Sequence, residues 1–126
     1  MNDDQYREHC IDLLNKFSGL LAKHCEHCSE DDPLREMSEG FKRIATGTDL
    51  YGSGPVLVNQ LFASCPDLAP YFPREILWFL GGECLHLMPD REIAIYQQLD
   101  EQRWAAADAG EILNYHDARA KLLKLQ

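Results

Sequence analysis

The chain has no long apolar run. Its longest apolar tract, Ile76 to Met88, is broken by Gly81-Gly82, Glu83 and His86 and falls short of the roughly 20 residues that a membrane-crossing helix needs. It opens Met1-Asn2-Asp3-Asp4, where an export signal has a basic start followed by an apolar stretch, so export is not expected. Basic side chains are scarce, twelve Lys and Arg against twenty-one Asp and Glu, and they are spread along the chain rather than massed. The resulting net charge of −9 repels nucleic acid and anionic lipid, whose binding rests on Lys and Arg neutralising negative charge. The locally basic end, Arg119, Lys121 and Lys124, reads as favourable charge at a helix C-terminus. Neither nucleic acid nor membrane is therefore an expected partner.

Catalytic signatures are missing as well. There is no Gly-x-Ser-x-Gly elbow, and the glycine-rich stretch Gly47 to Gly54 lacks the Lys-Ser/Thr ending with which a phosphate loop holds phosphate and magnesium. Five cysteines, an odd number, do not make a disulfide framework and fit a reducing compartment, so a cytoplasmic protein is expected. Strand-like alternation is almost absent; the β-branched residues around Val56 to Val58 are the single place where a short strand competes.

What the chain does have is helical period. Tyr6, Cys10, Leu13, Leu14, Phe17, Leu20, Leu21, His24 and Cys28 fall within one arc at about 100° per residue, which predicts a first helix from Asp3 to about Cys28. Asp32-Pro33 is a cap-and-start signal for a second helix carrying Leu34, Met37, Phe41 and Ile44 and ending at Gly47. Ser53-Gly54-Pro55 marks a third start, and Pro66 stops that run. A fourth segment, 74–88, is apolar in nearly every direction around its axis, the pattern of a helix buried at the centre of a fold. Trp78 is accordingly placed in mid-core, and Gly81-Gly82 mark a close crossing or a bend. Pro89-Asp90 restarts a helix that Gly110 closes, and Asn114 with Asp117 resembles the capping box of a last one. The expected fold is all-α: one domain over 1–126, an irregular bundle of five or six helices around a buried central helix at about 74–88.

Three polar groupings are candidate sites. His24-Cys25-Glu26-His27-Cys28 concentrates potential metal ligands, and on a helix Cys28 and His27 lie about 40° and 60° to either side of His24 while Cys25 lies about 100° off. A closed zinc site takes four ligands, usually from two separated segments, and no second cluster completes this one. The Cys25-x-x-Cys28 spacing is also that of redox pairs, but those sit at a helix N-terminus, where the dipole lowers the thiol pKa, and this pair sits at the other end. Glu83 and His86 form a Glu-x-x-His pair, half of the set that carboxylate-bridged di-metal bundles use. Glu83 projects between Ile76 and Leu87 on the helical wheel, so a partner is expected for it, Arg103 or Arg74, with His86 in the same polar island. Asp100 and Arg103 both fall inside the apolar arc of their own helix and are spaced to pair with each other at i,i+3 or with Glu83 or Arg74 from the central helix. Together, Glu83, His86, Asp100 and Arg103 are expected to form a buried polar island or a ligand pocket. The sequence points to no cofactor and to no catalysis. The expected function is contact with another protein or with a second copy in a homodimer. The alternative is a metal or small ligand held by Glu83 and His86 or by the His24 to Cys28 cluster.

Overall fold

The computed structural model describes residues 2–80, 85, 86 and 88–124, and every element within them is helical. The first helix, α1 (Asp3–Cys25), opens with a capping box in which Gln5 N donates to Asn2 Oδ1 at 2.8 Å and Asn2 N donates back to Gln5 Oε1 at 2.9 Å. Its core stripe is the predicted one through Tyr6, Cys10, Leu14, Phe17 and Leu21, but Leu20 is 61% exposed. The helix ends at Cys25, short of Cys28, and the connecting segment is tied down by Arg35, whose Nη2 donates to Cys28 O at 2.7 Å and whose Nε donates to Ser29 O at 2.9 Å. That guanidinium satisfies loop carbonyls which another helical turn would have satisfied.

The second helix, α2 (Pro33–Ile44), starts as the Asp32-Pro33 signal implies, with Leu34 N donating to Asp32 Oδ1 at 2.9 Å. The third helix, α3 (Leu50–Ser64), begins three residues before the expected start and carries Pro55 inside it. Local chemistry alone favours proline at a helix start; here Leu50, only 2% exposed, anchors an earlier first turn in the core. Asp49 holds a left-handed φ of 49° just before it and accepts Ser53 Oγ at 2.6 Å. Val56 to Val58 lie within this helix, so the strand alternative does not hold. A 3-10 turn (Pro66–Tyr71) leads to α4 (Arg74–Leu80), and the hairpin of α5 (Asp90–Asp108) and α6 (Tyr115–Lys124) follows. Gly110, at φ 70°, closes α5: its N–H donates to Ala107 O and Glu111 N to Ala106 O, a Schellman ending.

Packing runs α1 on α2 and α2 on α3, with α4 touching α1, α3 and α5, and α6 held mainly against α5. Phe17 is the hub of the core, edge-on to Phe72 at 4.9 Å and to Phe41 at 5.4 Å between ring centres. Complete burial of each such side chain contributes about 2 to 3 kcal/mol. Two glycines permit close helix contact: a Cβ on Gly40 would meet Leu57 at 2.7 Å, and one on Gly54 would meet Leu80 at 2.7 Å. Helix α4 is central in its contacts, but it is seven residues long, and Gly81, Gly82 and Glu83 of the expected 74–88 helix lie outside the described residues. Trp78 is not in mid-core. It is half-buried, stacked on Tyr96 with 6.3 Å between rings, because its indole N–H needs an acceptor and finds Asp100 Oδ2 at 2.9 Å on the wall of an open cleft. No helix among the described residues is long and apolar enough to cross a membrane.

Candidate binding cleft at the helix junction

The cleft lies where the start of α1, the start of α3 and the end of α4 meet the middle of α5. Its volume is about 440 Å³, in the range of small-ligand sites, which favour such junctions between packed units. Its α1 wall carries Asp3, Asp4, Tyr6 and Arg7, and Tyr51 of α3 stands at its mouth, 60% exposed. The opposite walls are Trp78 and Phe79 of α4 with Asp100 and Arg103 of α5. Tyr6 and Tyr51 each pack against Phe79, at 5.9 and 5.7 Å between ring centres, so the aromatic surface is continuous from floor to mouth.

Arg103 organises the polar part. It is 5% exposed, donates from Nη1 to Asp3 Oδ1, and lies 3.5 Å through Nη2 from Asp100 Oδ1, the i,i+3 pairing read from the sequence. Its guanidinium carbon sits 4.6 Å from the centre of the Tyr6 ring, a cation–π contact. The hydrogen bond and charge of Arg103 hold the Asp3 carboxyl below the usual carboxylate range. Burial pushes Asp100 the other way, upward, against the hydrogen bond from Trp78 and the charge of Arg103. Among the described residues, Arg103 Nε and the Tyr6 hydroxyl are buried with no hydrogen-bond partner. A buried unsatisfied polar group costs about 1 to 3 kcal/mol, so apolar packing would hold this junction together more cheaply than these groups do.

Behind the Tyr6 ring lies a second polar cluster that spacing did not reveal. Glu75, 4% exposed in the first turn of α4, takes the Tyr115 hydroxyl on Oε1 and has His9 Nε2 at 2.8 Å from Oε2. Tyr115 in turn lies 5.5 Å from Tyr6 ring to ring, which joins this cluster to the cleft floor. Burial is the first cause that drives the Tyr6 and Tyr115 hydroxyls and the Cys10 thiol well above their ordinary pKa values, so all three stay protonated. Glu75 reads in the sequence as an ordinary first-turn acid, and its donors come from helices 40 and 66 residues away. The one sequence signal for it was His9, which falls beside Tyr6 and Cys10 of the α1 core stripe.

Of the expected polar island, Asp100 and Arg103 are brought together, His86 lies on the surface, and Glu83 is outside the described residues. Arg103 pairs with Asp3 as well as Asp100, and Arg74 makes a two-pronged contact with Glu92 at 2.9 and 3.1 Å. The His24 to Cys28 residues diverge: His24 and His27 are exposed, Cys25 is buried with Sγ donating to Leu34 O at 3.6 Å, and half-buried Cys28 donates to His24 O at 3.7 Å. Helix α1 ends in their midst, which breaks the angular register that would have put His24, His27 and Cys28 on one face. Among the described residues no group of three or more His, Cys, Asp or Glu side chains is placed to hold a metal ion. Cys10, Cys25, Cys28 and Cys65 are free thiols.

No curated protein and no solved structure matches the chain. A family model does match, over residues 2–126. The chain with this helical bundle and its Arg103 cleft belongs to the PA2817-like family.

Proposed function

We propose that the protein is a cytoplasmic binding module that acts by contact rather than catalysis, and that it engages its partner at the Asp100–Arg103 cleft. The observation that carries this reading is the treatment of Arg103, a guanidinium 5% exposed, paired across two helices and laid on an aromatic ring, beneath an open cavity of about 440 Å³. Buried charge of this kind is poor support for stability, and its place under a cleft favours recognition. The absence of a catalytic role is supported by the neighbouring hydroxyl and thiol groups, which burial holds protonated, the reverse of what activates a nucleophile.

A second copy of the chain is the favoured partner. Trp104 is 52% exposed with its ring 5.8 Å from the Arg103 guanidinium, and Ile112, in the connection to α6, is 86% exposed; both belong to the hairpin that borders the cleft. Partly exposed tryptophan is typical of contact surfaces. A photo-crosslinking residue in place of Tyr51, at the cleft mouth, tests the reading in intact cells. The expected product is one discrete adduct of twice the chain mass, absent when the same residue replaces Tyr71, which is 70% exposed and lies away from the cleft. An adduct of another mass would keep the contact reading and replace the homodimer with a different partner. No macromolecular adduct from Tyr51 would overturn it.

A further inference from the structure

We infer that the cleft takes an organic cation, an amidinium, guanidinium or ammonium group on an apolar body, and this rests on the reading of the cleft as the contact site. Three carboxylates, Asp3, Asp4 and Asp100, face two guanidinium groups in its walls, so the lining carries one net negative charge. The whole chain adds to this: at −9, its field raises the local concentration of cations and lowers that of anions.

Internal pairing leaves the negative charge available to a ligand. Arg103 is taken up by Asp3 and Asp100, and Trp78 occupies the other oxygen of Asp100. Arg7 also lines the cavity, and its Nη2 reaches the α2–α3 connection, where a Cβ on Gly47 would come within 2.9 Å of it. Asp4 remains, exposed in the first turn of α1 and without an ion pair among the described residues. The Tyr51 and Phe79 rings, 5.7 Å apart and tilted by 59°, line the same cavity as Asp4. An aromatic face next to a carboxylate is the arrangement in which Arg103 is already held, over Tyr6 and against Asp3. A ligand cation would find the same chemistry one step nearer the solvent, where a cation over an exposed ring gains about 0.5 to 1 kcal/mol, roughly a two- to fivefold preference over a neutral isostere.

Three molecules of one shape and different charge isolate the claim: benzamidine, benzamide and benzoate, titrated into the full chain and followed by calorimetry and by the indole N–H resonance of Trp78. Benzamidine is expected to bind and to shift that resonance, benzamide to bind about two- to fivefold more weakly, and benzoate to give no shift. Asp4→Lys is expected to weaken benzamidine severalfold while the circular dichroism spectrum stays as it was, because Asp4 is exposed. Agmatine and N-acetylarginine methylamide then separate the two sources of such a group, a free amine metabolite and a side chain on a polypeptide, by which binds more tightly. Benzoate binding as well as benzamidine, no response to any probe, or an unchanged affinity in Asp4→Lys would each overturn the inference. A Tyr51 adduct with no benzamidine binding would remove the cation and keep the contact site. Benzamidine binding with no adduct would keep the cation and remove macromolecular contact.

Discussion

Glu75 is the residue on which the two halves of the molecule meet. Helix α1 brings His9, α6 brings Tyr115, and α4 holds the carboxylate between them. Replacing Tyr115 with Phe keeps the packing and removes one donor, leaving a buried carboxylate oxygen unsatisfied; chemical denaturation of that variant is expected to show a loss of about 1 to 3 kcal/mol. Asp3 and Asp100 predict a particular response to acid. The Asp3 pKa is lowered in the fold, so its contribution is present above the ordinary carboxylate value and is lost as pH falls through the folded one. The Asp100 pKa is raised, chiefly by burial, so its ionised form weakens the fold at neutral pH and that penalty is relieved as pH falls through the raised value. Denaturation midpoints of wild type are therefore expected to hold or rise slightly on mild acidification before falling. In Asp100→Asn, whose amide oxygen still accepts from Trp78, the mild-acid gain should be gone and the Asp3 loss should remain.

At the level of elements, α3 approaches α4 closely. Gly54 permits it, since a Cβ there would meet Leu80 at 2.7 Å, whereas one on Gly19 in exposed mid-α1 would meet nothing within 4 Å. The same substitution thus has opposite expected signs. Gly19→Ala should stabilise by about 0.5 to 1 kcal/mol through helix propensity, and Gly54→Ala should destabilise by about 1 to 3 kcal/mol through overpacking against buried Leu80. Equal effects of the two changes on thermal midpoint would contradict the α3–α4 contact. The cost at Gly54 should be accompanied by a change in the environment of Trp78, read from its fluorescence, because Trp78 and Leu80 leave the same short helix.

For the molecule as a whole, an excess of nine negative charges places self-repulsion on the folded state. Added salt shortens the range of that repulsion from about 30 Å at 0.01 M to about 3 Å at 1 M. Denaturation midpoints in urea are expected to rise with sodium chloride over this range, and benzamidine affinity to fall over the same range as the cation-attracting field is screened. A midpoint that falls with salt would mean that the Arg103 and Arg74 ion pairs contribute more to stability than the net charge takes away.

The all-α class, the start of α2 at Asp32-Pro33, the close of α5 at Gly110 and the α1 stripe through Tyr6, Cys10, Leu14 and Phe17 were legible in the sequence because they are local: caps, left-handed glycine and helical period act over one or two turns. The pairing of Asp100 with Arg103 was one of those their spacing allowed, being one turn apart on one helix. What lay beyond reach was every choice made between helices. The start of α3 before Pro55 was decided by the burial of Leu50, and the position of Trp78 by an acceptor on α5. Among the described residues the buried glutamate is Glu75, because donors from α1 and α6 converge on it. The desolvation of a carboxylate depends on which distant groups come within about 3 Å of it, and helical period along one segment carries no information about that.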